Sequence, residues 1–135
     1  MAIHPEYAEK ILTGRKTIEF RKIRFATTVT HIVIYATRPV QRVVGFFKVL
    51  GVDLAAPPEL WRRYQRVGGV GKASFEAYYQ RRDRGVAIKV GEVVGLRKPR
   101  SLSSLRLSVA PPQSFRYLPP VALDALRAET PRIRP

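Results

Sequence analysis

The chain of 135 residues has no cysteine, only two histidines and only ten acidic residues. Without cysteine it has no disulfide, no thiol nucleophile and no cysteine-ligated zinc site. His4 and His31 lie far apart in the sequence, which argues against a histidine-based metal site. We therefore predict no metal and no cofactor.

Long apolar runs are also absent. No stretch of 18 apolar residues occurs, so the sequence predicts no membrane-spanning helix. The first ten residues, "MAIHPEYAEK", lack a basic segment followed by an apolar one. This favours a cytoplasmic protein. The length predicts one domain, and no obligate protein partner is evident.

Basic residues are abundant, in contrast to the few acidic ones. Lys and Arg number 25, which leaves a formal charge of +15, and 18 of the 25 are arginines. Such a surplus attracts polyanions, and the planar guanidinium suits bidentate phosphate contacts and stacking on bases. We predict RNA or a nucleotide as the partner. The alternatives are an acidic membrane surface or nonspecific basicity, and a GC-rich or thermophilic genome could explain the preference for arginine.

The stretch "GRKTIEFRK", residues 14–22, marks a change of period. Residues 5–13 show helical spacing, with Pro5 at the start and Gly14 as the cap at the end. After Gly14, apolar and polar residues alternate with a period of 2, which is typical of a strand. Ile18 and Phe20 should face the core. Thr17, Glu19 and Arg21 should face the opposite, wetter side.

In the middle of the chain two predicted strands are followed by two helices and then by further strands. We predict strands over 31–39 and 42–54, the second with bulges at Gly45 and Gly51. Helices follow over 57–67 and from a cap at Ser74 to residue 82, with the aromatic stripe of the second helix in the core. Residues 85–96 should form a hairpin turning at Gly91, or two short strands.

The C-terminal third has fewer signals. Residues 97–112 read as a basic connection, 113–118 as a last strand and 119–129 as a helix before a basic tail. The element order lacks a βαβ rhythm, so we predict an α+β fold, a small, mostly antiparallel β-barrel flanked by short helices. Residues 1–118 should form the single domain, with 119–135 as the C-terminal helix and tail.

Residues 3–22, "IHPEYAEKILTGRKTIEFRK", resemble the opening signature of ASCH domains, which belong to the PUA-like superfamily. The family pattern Gly-x-Lys-x-x-Glu-x-Arg is met at Gly14, Lys16, Glu19 and Arg21. The runs "IVIYATRP" and "VVGFFKV" resemble the next two strands of the family, and "PPQSFRYL" resembles the ending of one subgroup. The resemblance extends from residue 3 to about residue 118.

The resemblance implies a PUA-like barrel whose cleft faces Lys16, Glu19 and Arg21, and a role in RNA binding. Some similar proteins are ribonucleases, and one is an acetylcytidine amidohydrolase with a Thr nucleophile three residues after the Lys. Here that position is Glu19, and Thr17 stands in a different register. This difference argues against acetylcytidine hydrolysis by the same mechanism.

The three charged residues have a chemistry of their own. Lys16 and Arg21 can hold a phosphate or a carbonyl oxygen, and cations beside Glu19 favour its ionised form. The carboxylate can then accept a hydrogen bond from the exocyclic amine of cytosine or adenine, or act as a general base. The alternative is that Glu19 only forms a salt bridge with Lys16 or Arg21.

Weaker candidates lie at the ends of elements and on the helices. Residues 35–38 would lie at a barrel rim, residues 113–115 could clamp a base after two prolines, and helix arginines could track the phosphate backbone. Each group also has a purely structural interpretation: residues 35–38 could belong to the core and its solvated edge, residues 113–115 could simply begin a strand, and the helix arginines could form a solvated face. The candidates for nucleic-acid binding beyond the three charged residues are Thr17, Lys22, Tyr35, Arg38, Arg62, Arg63, Arg66, Arg81, Arg82, Gln113, Ser114 and Phe115.

Two functions from different classes fit these residues. We predict an RNA-binding domain that recognises RNA or a nucleotide in a basic cleft. The alternative is a metal-independent RNA hydrolase, a ribonuclease or a modified-nucleoside hydrolase, in which Lys16, Glu19 and Arg21 are catalytic. The scarcity of histidine and cysteine counts against an enzyme. A third reading, a transcription-linked regulator that binds a small nucleotide, lacks a recognisable helix-turn-helix.

Overall fold

The computed structural model describes residues 1–26, 28–105 and 114–128. Within these ranges it contains five strands and four helices, so the fold is α+β. In chain order the elements are β1 Ala2–Ile3, α1 Pro5–Leu12, β2 Ile18–Arg21, β3 His31–Ala36, β4 Arg42–Ala55, α2 Pro57–Tyr64, α3 Lys72–Tyr78, β5 Gly85–Arg100 and α4 Val121–Ala128.

The five strands form one sheet in the order β1-β3-β4-β5-β2. Only β1 and β3 are parallel; the other neighbours are antiparallel. Within the described residues the edge strands β1 and β2 do not pair, so the predicted barrel closure is not confirmed. The two edges nevertheless come together, since Arg21 Nη1 at the end of β2 donates a hydrogen bond to the Ala2 carbonyl oxygen over 3.2 Å.

The long strand β4 bends where the sequence places glycine. The pairing of β4 with β5 shifts between Val43 and Gly45 and again between Val49 and Gly51, which confirms the predicted bulges. A Cβ atom at Gly45 would lie 2.5 Å from the Val94 carbonyl oxygen, so the close approach of the backbones requires glycine there.

Both faces of β2 are covered. Ile18 and Phe20 pack with Leu60, Phe75 and Tyr79 from α2, α3 and the end of α3, as the period-2 pattern predicted. The opposite face carries Glu19, whose antiparallel partner Ile88 belongs to a second core cluster. Cross-strand partners project to the same side of a sheet, so Glu19 lies on a core-facing side as well.

Helix boundaries differ in detail from the prediction. The predicted cap at Ser74 is wrong, because α3 begins at Lys72 after an extended Gly71, which places Ser74 inside the helix. Helices α1, α2 and α4 lie within their predicted ranges. None of the helices within the described ranges has the length and apolar content needed to span a bilayer.

The predicted hairpin at Gly91 is wrong, and so is the alternative of two short strands. β5 runs without interruption from Gly85 to Arg100, because β4 pairs beside it from Ala55↔Gly85 to Val43↔Arg100. The first four residues of the predicted basic connection, 97–100, therefore belong to a strand.

The C-terminal part also differs from prediction. The described part of the predicted last strand, 114–118, is not a strand, although the Ala2 N–H donates to the Ser114 carbonyl oxygen over 2.7 Å. α4 packs Leu126 into a third core cluster with Tyr35 and Phe46. The domain boundary at residue 118 stays a prediction.

Candidate functional site

A cavity of about 300 Å³ opens where the two sheet edges approach each other. One wall comes from β1 and the start of α1, another from β2, and a third from the segment that leads into α3 and from α3 itself. The lining residues are Ala2, Ile3, His4, Tyr7, Lys16, Glu19, Phe20, Arg21, Thr37, Val70, Ser74, Phe75 and Tyr78. We call this cavity the edge pocket.

Lys16 lies at the wall of the edge pocket with only 1% of its side chain exposed. Its ammonium donates a hydrogen bond to the Gly68 carbonyl oxygen and lies 3.3 Å from Glu19 Oε1. It also lies 5.6 Å from the centre of the Tyr7 ring and 5.5 Å from that of Phe20. Burial lowers the pKa of Lys16, while the neighbouring Glu19 carboxylate opposes that shift.

The segment after α2 holds Lys16 in place. The Thr17 N–H donates to the Val67 carbonyl oxygen over 2.9 Å, and Lys10 Nζ donates to the Gly69 carbonyl oxygen over 3.0 Å. Gly69 has φ +66°, and a Cβ atom there would lie 2.9 Å from Lys16 Cβ. The backbone can therefore close over the lysine stem only because residue 69 is glycine.

Glu19 is the centre of a buried charge cluster. Its Oε1 faces Lys16, and its Oε2 accepts a hydrogen bond from Arg21 Nη1 over 3.2 Å. Arg21 Nη2 donates in turn to Ser114 Oγ over 2.7 Å. Because Glu19 is only 5% exposed, its predicted place on the wetter face is wrong. The alternation located the face correctly, but it could not show that the sheet edge and its neighbours cover it.

The cluster leaves room for further hydrogen bonds to the carboxylate. A carboxylate has about four lone-pair sites, and Glu19 uses two of them for cations. Each Glu19 oxygen can therefore accept one more hydrogen bond from a ligand in the edge pocket.

Aromatic rings form much of the rest of the edge pocket. Phe20 and Phe75 meet edge to face with centroids 4.8 Å apart, and Tyr78 lines the α3 side. Burial raises the pKa of Tyr78. The sequence placed Tyr78 only in a core stripe, and it gave no sign that His4 and Tyr7 line a cavity. No periodicity could have revealed either role, because both depend on β1 and α1 meeting β2.

Beside Tyr78, and outside the residues that line the pocket, two exposed basic residues contact each other. Lys22 Nζ lies 4.7 Å from the centre of the Tyr78 ring, and Arg82 Nη2 donates to the Lys22 carbonyl oxygen over 3.3 Å. Both were predicted nucleic-acid contacts, and the structure brings them together. We call Lys22 and Arg82 the basic rim.

Other predicted residues lie outside the edge pocket. Tyr35 is buried in the third core cluster, which corrects its placement at a rim, and Thr17 is exposed without lining the pocket. Gln113 lies outside the described residues. The remaining predicted contacts that are exposed and do not line the pocket are Arg38, Arg62, Arg63, Arg66 and Arg81.

Two of these arginines already have acidic partners. Arg62 and Arg63 both bind the Glu59 carboxylate, and Arg63 also lies 3.8 Å from Asp53 Oδ2. The α2 arginines that were predicted to track the phosphate backbone therefore belong to an ion-pair network rather than to a row of unpaired cations.

Phe115 lies in a second, larger cavity of about 710 Å³. Its ring meets Phe25 and Tyr117 edge to face, with centroids 5.7 and 5.8 Å away. Ser114, directly before it, binds Arg21 beside the edge pocket, so the two predicted neighbours serve different cavities. Across the ranges that the structure covers, no three His, Cys, Asp or Glu side chains are grouped so as to hold a metal ion.

Residues 1–102 match the family model of the ASCH domain. An ASCH domain-containing ribonuclease of Zymomonas mobilis is 31% identical over 121 residues, which cover 87% of this chain and 82% of that protein. The crystal structure of ASCH from Zymomonas mobilis has a TM-score of 0.87 at 28% identity, covering 99% of this chain and 96% of that one. The crystal structure of a tyrosine-to-phenylalanine mutant of ASCH from the same organism has a TM-score of 0.87 at 27% identity, and the match covers 97% of this chain and 96% of that one.

These matches agree with the architecture described above. The α+β arrangement of five strands and four helices in the described ranges is that of the ASCH structures. The family model spans 102 of the 135 residues, including the whole charge cluster except Ser114. The chain belongs to the ASCH domain family.

Proposed function

We propose that the protein binds RNA and that the edge pocket takes one nucleotide of it. The observation that carries the proposal is the buried cluster of Lys16, Glu19 and Arg21 at the wall of an open cavity. The net charge of +15 supports a polyanionic partner, and a relative of similar length is named a ribonuclease.

The chemistry of the pocket fits a nucleobase. Glu19 is an acceptor for an exocyclic amine, which cytosine, adenine and guanine carry and uracil lacks. The rings of Phe75 and Tyr78 offer faces or edges for stacking in the same cavity. Single-stranded RNA exposes its base edges to such a pocket, whereas a duplex does not. We therefore expect single-stranded RNA to bind more tightly than duplex RNA.

Metal-independent RNA cleavage is a second candidate for the same pocket. It is favoured by the lowered pKa of Lys16, which makes its ammonium a better proton donor than that of an ordinary lysine. The ribonuclease relative supports it as well.

The cleavage step can be written with the residues of the cluster. Glu19 would take the proton of a ribose 2′-hydroxyl, whose oxygen then bonds to the adjacent phosphorus. The bond from phosphorus to the 5′-oxygen breaks, and the leaving oxygen takes a proton from Lys16 while Arg21 offsets charge on the phosphate. The products are a 2′,3′-cyclic phosphate and a 5′-hydroxyl. Transfer of the proton from Glu19 to Lys16, 3.3 Å away, restores the starting state.

The test incubates the purified protein with labelled single-stranded and structured RNAs in EDTA, read on native and denaturing gels. The variants are Glu19→Gln and Lys16→Met, and the matched control is Glu59→Gln, which removes a carboxylate paired to two cations outside the pocket. A shift of intact RNA that only the pocket variants lose, while circular dichroism shows that both variants remain folded, supports the binding function. No shift and no cleavage by the wild type would refute both candidates.

Cleavage has a further readout. If the cluster cleaves RNA, the product should carry a 2′,3′-cyclic phosphate, and a single 2′-deoxy substitution at the cleaved position should prevent cleavage. Cleavage that survives this substitution would refute the proposed step while leaving RNA as the ligand.

A further inference from the structure

The basic rim is the part of the molecule that the proposed base recognition does not use. Lys22 and Arg82 are exposed, and Lys22 lies beside the edge pocket because its Nζ packs over the ring of Tyr78, which lines the pocket. Arg82 contacts the same residue through its hydrogen bond to the Lys22 carbonyl oxygen. Two basic residues from distant parts of the sequence are thus in contact beside the α3 wall of the pocket.

The rim differs from the basic residues of α2 and from Lys89 in its partners, and it shares with the exposed pair Arg97 and Lys98 the lack of a salt bridge among the described residues. Among the described residues no carboxylate forms a salt bridge with Lys22 or Arg82, although Asp83 follows Arg82 directly in the chain. Arg62, Arg63 and Lys89, by contrast, are paired with Glu59 or Asp53. Exposed cations that lie next to a pocket without an acidic partner favour the binding of an anionic group of the ligand.

We propose that Lys22 and Arg82 form a phosphate subsite of the edge pocket, so that the ligand enters as a phosphate-bearing nucleotide and not as a free nucleoside. This inference rests on the proposed nucleotide function. Tyr78 connects the two parts, since its ring lines the pocket and lies against Lys22. A base at Glu19 and a phosphate at the rim would be joined by the ribose past Tyr78.

The phosphate can come from a mononucleotide or from the backbone of an RNA strand, and the experiment separates these sources. Binding is measured for cytidine, for cytidine 3′- and 5′-monophosphate, and for a short labelled single-stranded RNA. The test variant is Lys22→Gln/Arg82→Gln. The matched control is Arg97→Gln/Lys98→Gln, which removes two exposed positive charges on β5 that line neither cavity.

The rim variant should lose at least about tenfold in affinity for RNA, as expected for a charge-assisted hydrogen bond to phosphate. Its slope of log affinity against log salt should fall by about 0.7 for each single-strand phosphate that the protein no longer neutralises. Cytidine should bind the variant and the wild type equally. If a monophosphate binds the wild type more tightly than cytidine, the phosphate belongs to the bound nucleotide itself; if only RNA is affected, it belongs to a neighbouring nucleotide.

Two outcomes would overturn the inference. If the rim variant and the control lose the same affinity and salt slope, the two residues contribute only general charge, while the proposed RNA function stands. If the wild type binds neither RNA nor nucleotide, the proposed function fails and the subsite with it. The variant Arg82→Lys, which keeps the charge, should retain most of the RNA affinity and guards against a folding effect.

Discussion

Two clusters in this molecule have nearly the same composition and opposite surroundings. In each, one glutamate lies between two cations, and one of the cations is three residues away in sequence. Glu19 pairs with Lys16 and Arg21, and Glu59 pairs with Arg62 and Arg63. The side chains of Glu19 and Lys16 are 7% and 1% exposed, whereas those of Glu59 and Arg62 are 33% and 71% exposed.

The difference lies in what surrounds each cluster. The Glu59 cluster lies on one face of α2, where the helix alone sets the spacing and water screens the charges. The Glu19 cluster is assembled from β2, the segment after α2 and the C-terminal part of the chain, and it adjoins the edge pocket. The same ion pairing is therefore a surface feature in one place and a candidate binding site in the other.

Neutralising Glu19 should have the largest effect. The change Glu19→Gln leaves the Lys16 ammonium 1% exposed without its counter-ion, which should destabilise the fold by about 3–5 kcal/mol. Urea unfolding followed by circular dichroism measures this loss. The double variant Lys16→Met/Glu19→Gln should recover much of it, since the unpaired charge is gone. A Glu19→Gln protein as stable as the wild type would show that the cluster is hydrated.

Adding one methyl group at Gly69 should have the next largest effect. Gly69→Ala brings a Cβ to 2.9 Å from Lys16 Cβ at a positive φ, whereas Gly14→Ala has the same kind of φ with no atom within 4 Å. Gly14→Ala should cost about 1 kcal/mol from the backbone alone. Gly69→Ala should cost about 2 kcal/mol or more, because the contact adds overpacking. It should also weaken RNA binding.

The comparison of the two glycine variants by urea unfolding isolates the contact with Lys16. Equal destabilisation by both changes would mean that the segment after α2 moves aside without cost. That result would contradict the view that it holds the lysine.

The pH dependence of stability should reveal Lys16. Folding lowers its pKa below the ordinary value of 10.5, so between the lowered value and 10.5 the unfolded chain binds more protons. Stability therefore rises with pH through this window, by at most about 1.4 kcal/mol per pH unit. Glu19→Gln removes the charge that opposes the shift, so the window should extend further towards neutral pH.

The readout is the difference in unfolding free energy between Glu19→Gln and Lys16→Met/Glu19→Gln from pH 7 upwards. Burial raises the pKa of Tyr79, so this side chain lowers stability at the alkaline end. Both variants keep Tyr79, so its contribution cancels in the difference between them. A difference that does not change with pH would exclude a lysine with a lowered pKa.

The sequence could predict the local parts of this arrangement. The period-2 pattern placed Ile18 and Phe20 in the core, and Gly45 and Gly51 marked the bulges, because these features depend on a few neighbouring residues. Through its likeness to ASCH domains it also predicted that Lys16, Glu19 and Arg21 face one cleft; the three side chains do form one ion-pair cluster, and their role as a binding site stays a prediction.

The parts that it could not predict depend on distant partners. Gly91 looked like a turn, but β4 pairs along β5 and carries the strand through it. Glu19 looked exposed, because alternation tells which face a residue occupies and not what covers that face. Tyr78 was predicted to be a core residue, and only the structure reveals that it lines the edge pocket and contacts Lys22.

The smallest effect is expected at the exposed cluster. Glu59→Gln removes a carboxylate whose pKa is lowered mainly by the hydrogen bond from Arg62. Because folding lowers the pKa of this carboxyl, its ionised form stabilises the fold at pH values above the ordinary pKa, and this stabilisation is lost as the pH falls. The contribution is small, because the ion pair is exposed and salt screens it. At neutral pH and about 0.15 M salt, near physiological ionic strength, the urea midpoint should therefore match that of the wild type. A small decrease should appear at low salt. Glu59→Gln could instead lower the midpoint as much as Glu19→Gln at both salt concentrations. Burial would then not distinguish the two clusters, and the main reason to regard the Glu19 cluster as a binding site would be lost.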